Sequence, residues 1–130
     1  MVSGGNFNTA EGIFSAVSGG VGHTASGNFA SIRGGSGHLA SGHSSSVSGG
    51  TSNTASEAGS SVSGGLRNTA SGPGSSVTGG QENIADSETS SVIGGAGNPA
   101  SDFSAVVSGG RNRTAEGQFD WVAGSLVEDE

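Results

Sequence analysis

Small apolar residues recur along the chain at a fixed interval of fifteen positions. When each repeat is numbered from one to fifteen, beginning at residue 1, the second position is always Val or Ile, and the tenth is Ala in the first eight repeats. The second-position residues are Val2, Val17, Ile32, Val47, Val62, Val77, Val92, Val107 and Val122, and the tenth-position residues are Ala10, Ala25, Ala40, Ala55, Ala70, Ala85, Ala100 and Ala115. No insertion or deletion breaks this register, which a flexible linker has no physical reason to keep. The pattern therefore predicts an ordered repeat structure.

Each of these apolar residues is flanked by hydroxyl residues in a typical repeat, as in Ser-Val-Ser at 46–48 and Thr-Ala-Ser at 54–56. Such period-two alternation is typical of a strand with one face turned inward. Two short strands in each repeat predict a parallel β-roll, or β-solenoid, of about nine stacked coils with Val and Ala as its core ladder. At about 4.8 Å per coil, the rod would be roughly 40 Å long. We expect eight repeats over residues 1–120, then a partial last coil with an acidic C-terminal cap over 121–130.

Paired glycines follow the first predicted strand of every complete repeat. They predict a tight bend, because Gly accepts positive φ, and the Gly at the fourth position is expected to point inward. Asn at the eighth position is expected to take positive φ in the same bend, while the variable sixth, seventh, thirteenth and fourteenth positions are expected to be exposed. The bend glycines are Gly4, Gly5, Gly19, Gly20, Gly34, Gly35, Gly49, Gly50, Gly64, Gly65, Gly79, Gly80, Gly94, Gly95, Gly109 and Gly110.

Composition alone would favour a disordered linker, since the chain has 27 Gly and only 30% hydrophobic residues. The unbroken register outweighs that signal. Four basic residues against eleven acids, with a net charge of −7, leave no basic patch for nucleic acid or for an anionic membrane surface. No apolar run reaches membrane-spanning length, so we expect no direct membrane insertion. The chain has no Cys and therefore no disulfide framework or thiolate metal site.

No catalytic motif is present, and the many Ser residues have no His and acid at any repeated spacing, so neither an enzyme activity nor a cofactor is expected. His23 and His38 occupy the Asn position of adjacent repeats. We expect them to stack as exposed bend residues that, with His43, are too few to bind a metal. Phe14 and Phe29 share the fourteenth position and form an exposed aromatic step. Packing at a chain end or between chains is the favoured interpretation of that step, and binding of a partner is the alternative.

Two further residues near the C-terminus interrupt the pattern. Phe119 returns to the fourteenth position, and Trp121 replaces the Ser that opens a typical repeat. We expect Trp121 to cover the last coil as a cap. The acidic run 128–130 would discourage end-to-end stacking by like charge.

A simple comparison of energies predicts that the chain oligomerises. Burial of about one Val and one Ala per coil contributes roughly 2–3 kcal/mol, whereas ordering fifteen residues costs about 1 kcal/mol or more for each. A second buried surface is therefore expected between chains. The outer face of the second strand carries Glu11, Asp86 and Glu116, so the contact is placed on the less charged outer face of the first strand. That possible oligomer face comprises Ser46, Ser48, Ser61, Ser63, Ser76, Thr78, Ile93 and Val106.

The repeat S-V-S-G-G-x-x-N-T-A-S-G-x-x-S resembles the head repeats of trimeric autotransporter adhesins of the YadA type. The likeness rests on the inward Val47 and Val62, the bend residue Gly50 and the second-strand Ala55. The period here is fifteen rather than the family's usual fourteen, and Gly replaces the family's Ile at the fourth position. The resemblance implies a left-handed homotrimer at a bacterial surface, acting as a structural or adhesive segment that binds a host or surface receptor. Similar repeats in phage fibres make a virion fibre an alternative.

A second likeness is to insect antifreeze proteins built from fifteen-residue β-helical coils with outward Thr ladders. Here the ninth position is usually Thr, but Leu39, Ile84 and Pro99 interrupt it. This likeness implies ice binding as the alternative function.

Overall fold

The computed structural model describes residues 1–124 and is an all-β solenoid. Each fifteen-residue repeat forms one coil, and eight coils are followed by the first strand of a ninth. The predicted parallel solenoid is thereby confirmed. The acidic cap predicted at 128–130 lies outside the described residues. Residues 1–124 contain no helix long and apolar enough to cross a membrane.

Two stacks of two-residue strands run along the rod, and neighbouring strands in each stack are parallel and one repeat apart. Val62 pairs in register with Val77, and Ala55 with Ala70. The seven-stranded sheet contains β1 (Thr9–Ala10), β3 (Thr24–Ala25), β5 (Leu39–Ala40), β7 (Thr54–Ala55), β9 (Thr69–Ala70), β11 (Ile84–Ala85) and β13 (Pro99–Ala100). The eight-stranded sheet contains β2 (Ala16–Val17), β4 (Ser31–Ile32), β6 (Ser46–Val47), β8 (Ser61–Val62), β10 (Ser76–Val77), β12 (Ser91–Val92), β14 (Val106–Val107) and β15 (Trp121–Val122).

A third row of parallel bridges passes through the first bend, where the sequence predicted only free residues. It joins the sixth positions of successive coils, for example Thr51 with Leu66 and Leu66 with Gln81. The Leu66 N–H donates to Gly80 O at 2.9 Å, and the Arg67 N–H donates to Thr51 O at 2.9 Å. The bend backbone is therefore fixed by neighbouring coils, whatever side chain it carries.

The interior is a narrow column of small side chains. The second-position residues from Val17 to Val107 and the tenth-position residues from Ala25 to Ala115 are buried. At the ends, Val2 is exposed, while Ala10 and Val122 are partly buried against this core. The fifteenth-position residue is also buried in coils one to seven, and there the hydroxyl of Ser60 donates to Glu57 O at 2.7 Å across the second bend.

The two glycines of each pair play different roles. The second has positive φ in every complete coil, from 84° to 101°. A Cβ on Gly65 would contact Gly80 O and the side-chain amide of Asn68. A Cβ on Gly64 would meet no atom within 4 Å, so the prediction that the fourth-position Gly points inward is wrong. The positive φ assigned to Asn lies instead at the seventh and fourteenth positions, for example 54° at Arg67.

Candidate functional site: a buried polar ladder and two exposed bends

The eighth-position residues form a buried polar ladder along the rod. Asn68 donates from Nδ2 to Gly64 O at 2.9 Å and to Gly80 O at 3.0 Å. Its Oδ1 accepts the Asn83 N–H at 2.9 Å, and the Asn68 N–H donates to Asn53 Oδ1 at 2.9 Å. The Asn68 side chain therefore forms hydrogen bonds both within its own coil and to the next coil. The sequence predicted these residues only as bend formers, but the side chains of Asn53, Asn68, Asn83 and Asn98 turn inward and are fully buried.

His23 and His38 continue the ladder between Asn8 and Asn53. The His38 N–H donates to Nδ1 of His23 at 3.1 Å, and the Asn53 N–H donates to Nδ1 of His38 at 3.1 Å. The two rings are nearly parallel, with centroids 4.8 Å apart and an interplanar angle of 4°. The expected stacking is therefore present. The expected exposure is wrong, since both imidazoles are buried.

The hydrogen bonds also assign the protonation state of the two rings. Because each Nδ1 accepts a backbone N–H, the neutral ring carries its proton on Nε2. Burial lowers the pKa of His23 below 6.5, and burial together with the nearby His23 charge lowers the pKa of His38. A proton added to Nδ1 would face a backbone N–H and remove the acceptor. The ladder is therefore continuous only while both rings are neutral.

Among the described residues, His, Cys, Asp and Glu side chains form no group of three that could hold a metal ion. His43 lies apart from the ladder on the second bend, where it is exposed. In the eighth coil Arg113 takes the ladder position, and its N–H donates to Asn98 Oδ1 at 2.8 Å. An Arg side chain lacks the acceptor that continues the ladder, so the ladder ends at this coil.

The first bend presents the sixth and seventh side chains to solvent. Arg67 and Glu82, one coil apart at the seventh position, form an exposed ion pair at 3.3 Å. Phe7, at the same position of the first coil, is 80% exposed with φ of 55°. The surface of residues 1–124 contains no pocket. The side chains at the first bend differ from coil to coil, unlike those of the interior columns.

The second bend carries two groups of aromatic residues, one near each end of the rod. The N-terminal aromatic cluster consists of Ile13, Phe14, Phe29 and His43. The ring centroids of Phe14 and Phe29 are 5.4 Å apart in a stacked arrangement, and His43 meets the edge of Phe29 at 5.4 Å.

The C-terminal aromatic cluster consists of Phe103 and Phe119, whose rings meet edge to face at 5.5 Å. Phe14, Phe29 and Phe119 all have φ between 57° and 59°. That conformation is uncommon for a bulky residue. These aromatic side chains are thus held in solvent on a strained backbone.

The predicted oligomer face lies on the outside of the eight-stranded sheet. Its first-position residues, such as Ser61, are half-buried, and its third-position residues, such as Ser63, are exposed. Trp121 is in register with Val106 on this same face and is 68% exposed. It therefore does not cover the end of the stack as predicted, and Val122 is the residue of β15 that packs against the core.

A comparison with models of known protein families finds no match, and a comparison with curated proteins finds no significant relative. The likeness to adhesin head repeats therefore stays a prediction.

Proposed function

We propose that the chain is a non-enzymatic structural or adhesive segment of an extracellular fibre or surface adhesin head. Its interior columns repeat from coil to coil, while the exposed bends change freely. The first bend, for example, changes from Thr51-Ser52 to Leu66-Arg67 between adjacent coils. This division between a constant interior and variable exposed bends is the observation that carries the proposal. It is the arrangement expected of a scaffold that presents different side chains on one backbone.

Stiffness supports the same proposal. Successive coils are joined by both sheets, by the bridges through the first bend and by the polar ladder. Bending the rod would separate one side of a coil from its neighbour and leave backbone groups unpaired, at about 1–3 kcal/mol for each buried group. A rod roughly 40 Å long can therefore hold its bend residues at fixed spacing.

The buried polar columns change the energy comparison from which an oligomer was predicted. The energy comparison that predicted an oligomer counted only Val and Ala as buried. Asn side chains form hydrogen bonds to the next coil at five of the eight ladder positions, and Ser60, Ser75 and Ser90 form hydrogen bonds across the second bend. Within residues 1–124, the buried hydroxyls of Ser15 and Ser45 have no hydrogen-bond partner. A single rod is therefore less dependent on a second surface than the sequence implied, and the homotrimer stays a prediction.

The display proposal is tested by exchanging first-bend residues without touching the interior. In the variant, Leu66-Arg67 and Gln81-Glu82 are each replaced by Thr-Ser, the pair that the fourth coil carries at this bend. The melting temperature should stay unchanged. Beads coated with the parent chain should adhere to an array of glycans and extracellular-matrix proteins, and the variant should adhere less. No adhesion above that of beads coated with an unrelated protein would overturn the adhesive function.

One observation favours ice binding as a second candidate. The outward Thr residues of the seven-stranded sheet are in register, as with Thr54 and Thr69. Leu39, Ile84 and Pro99 interrupt this row, which weakens it as a regular hydroxyl surface. A thermal hysteresis assay separates the two functions, since a display rod should not shift the freezing point relative to the melting point.

A further inference from the structure

The second bend of the eight coils forms an exposed corner that is complementary to itself when reversed. The corner pairs, at the thirteenth and fourteenth positions from the first coil to the eighth, are Ile13-Phe14, Asn28-Phe29, His43-Ser44, Ala58-Gly59, Pro73-Gly74, Glu88-Thr89, Phe103-Ser104 and Gln118-Phe119. Consider a two-fold axis that lies alongside this corner, perpendicular to the rod and level with the boundary between the fourth and fifth coils. It places the first coil of one copy opposite the eighth coil of another, and the second opposite the seventh.

This axis brings apolar residues together at both ends of the rod. The N-terminal aromatic cluster of one copy meets the C-terminal aromatic cluster of the other, so that Phe14 faces Phe119 at the fourteenth position, while Phe29 lies diagonally across from Phe103, which occupies the thirteenth position of the facing coil. Phe14 and Phe119 are 79% and 69% exposed. An aromatic side chain buries about 150–250 Å² when it is fully covered. The two clusters are therefore the largest apolar gain that the corner offers.

In the middle of the corner, the facing coils of the two copies are complementary in charge and in shape. His43 lies opposite Glu88, and both side chains are exposed, so an imidazole N–H can donate to the carboxylate. At the centre, Gly59 and Gly74 have no side chain, and they allow the two backbones to approach. A two-fold contact uses each match twice.

We propose that this corner is an interaction surface for a second copy of the same chain, which pairs with it antiparallel. The contact is narrow and buries less than the roughly 800 Å² per partner of a standard interface, so the dimer is weak and depends on concentration. Positive φ at the fourteenth position is common to all eight coils, so the backbone turns whatever side chain stands there outward at the same corner.

The first bend does not show this complementarity and supplies the control. Under an equivalent axis alongside the first bend, Phe7 would face the polar Asn112 beside Arg111. Phe7 is as exposed as Phe14, and their φ angles are 55° and 57°. Phe7→Ser therefore removes an equivalent aromatic ring from outside the proposed contact.

Sedimentation equilibrium over a wide range of concentration tests the proposal. The parent chain should pass from monomer to dimer. Phe14→Ser/Phe29→Ser should raise the dissociation constant at least about tenfold, whereas Phe7→Ser should leave it unchanged. Ser occurs naturally at the fourteenth position in Ser44 and Ser104, so the double variant should fold, and far-ultraviolet circular dichroism checks that it does.

Charge exchange tests the pairing direction separately. His43→Glu should weaken the dimer, because two carboxylates would then face each other at two symmetry-related places in the contact. His43→Glu/Glu88→His should restore it. Ser61→Glu/Ser63→Glu, on the face predicted from the sequence, should have no effect. A monomer at every concentration, a trimer, or equal effects of the Phe7 and Phe14/Phe29 changes would overturn the proposal, whatever the adhesion assay finds.

Discussion

Replacement of Asn68 by Ala measures how much the buried polar ladder stabilises the rod. The change removes the acceptor of the Asn83 N–H, which has no other hydrogen-bond partner, and the donor to Gly64 O. It also removes one of the two bonds to Gly80 O, which still accepts the Leu66 N–H. The substitution therefore leaves two backbone groups without a partner inside the protein.

The expected loss follows from those three bonds. A buried, unsatisfied N–H costs about 2 kcal/mol, and each lost bond to a carbonyl costs about 1 kcal/mol. Asn68→Ala should therefore lower the free energy of unfolding by about 4 kcal/mol, a large part of the 5–15 kcal/mol typical of a domain. The melting temperature should fall by more than about 10 °C.

Urea unfolding followed by far-ultraviolet circular dichroism gives the measurement. Arg67→Ala is the matched control, since Arg67 is the preceding residue, is exposed and makes only a surface ion pair. It should change stability by no more than about 0.5 kcal/mol. Above about pH 7, the stability of Asn68→His should lie between those of Asn68→Ala and Arg67→Ala. The reason is that imidazole Nδ1 can accept the Asn83 N–H, as Nδ1 of His38 accepts the Asn53 N–H. A loss below about 1 kcal/mol for Asn68→Ala would refute a stabilising role for the ladder.

Three further changes test other parts of the fold. Gly65→Ala should destabilise by about 3 kcal/mol or more, because φ is +88° and the new Cβ would contact the next coil, whereas Gly64→Ala, in open space, should be nearly neutral in the same urea assay. Val62→Asp should cost about 3–5 kcal/mol by burying an unpaired carboxylate, and a melting temperature equal to that of Gly64→Ala would show that this face is not inward. Because burial lowers the folded-state pKa of His23 and His38, the unfolded chain binds more protons as the pH falls below 6.5. Their contribution to stability is complete above that pH and declines below it, so the urea midpoint should fall between about pH 7.5 and pH 5.5, and less so in His23→Asn/His38→Asn.

The sequence predicted the architecture because the strongest local signal and the final packing agree. Val62 and Ala70 recur with an unbroken period, and an inward side chain in one coil must stack on its equivalent in the next. Strand type, parallel register and the two core columns all follow from that single periodicity. No family relationship was needed for this part of the prediction.

The polar ladder was not predicted because Asn is common in two different environments. Asn tolerates positive φ at bends, and it can also satisfy buried backbone groups through its amide. Composition cannot separate these roles. The informative signal was the replacement of Asn by His23 and His38, since both side chains can accept a hydrogen bond from the backbone of the next coil. A bend residue under no interior constraint would have varied as widely as Arg67 and its equivalents do.

The sequence did not predict the match between second-bend corners of two copies, for a different reason. Phe14 and Phe119 are separated by seven coils, and only the in-register stacking of those coils places them at the same corner of the rod. A repeat-by-repeat reading compares each position with its own column. A two-fold contact instead pairs the first coil with the eighth and the second with the seventh, and the repeat pattern alone does not suggest that pairing.

The uniform register of the coils has a consequence for how such a molecule can change in length. Every interface between neighbouring coils uses the same columns, so a whole coil can be gained or lost in steps of about 4.8 Å without a new kind of contact. A single inserted residue would instead turn inward side chains outward within that coil. The position of a gained coil also matters. Between the fourth and fifth coils, or at either end, it would preserve the mirror order of the corner, whereas between any other two coils it would change which corner pairs of the two copies face each other.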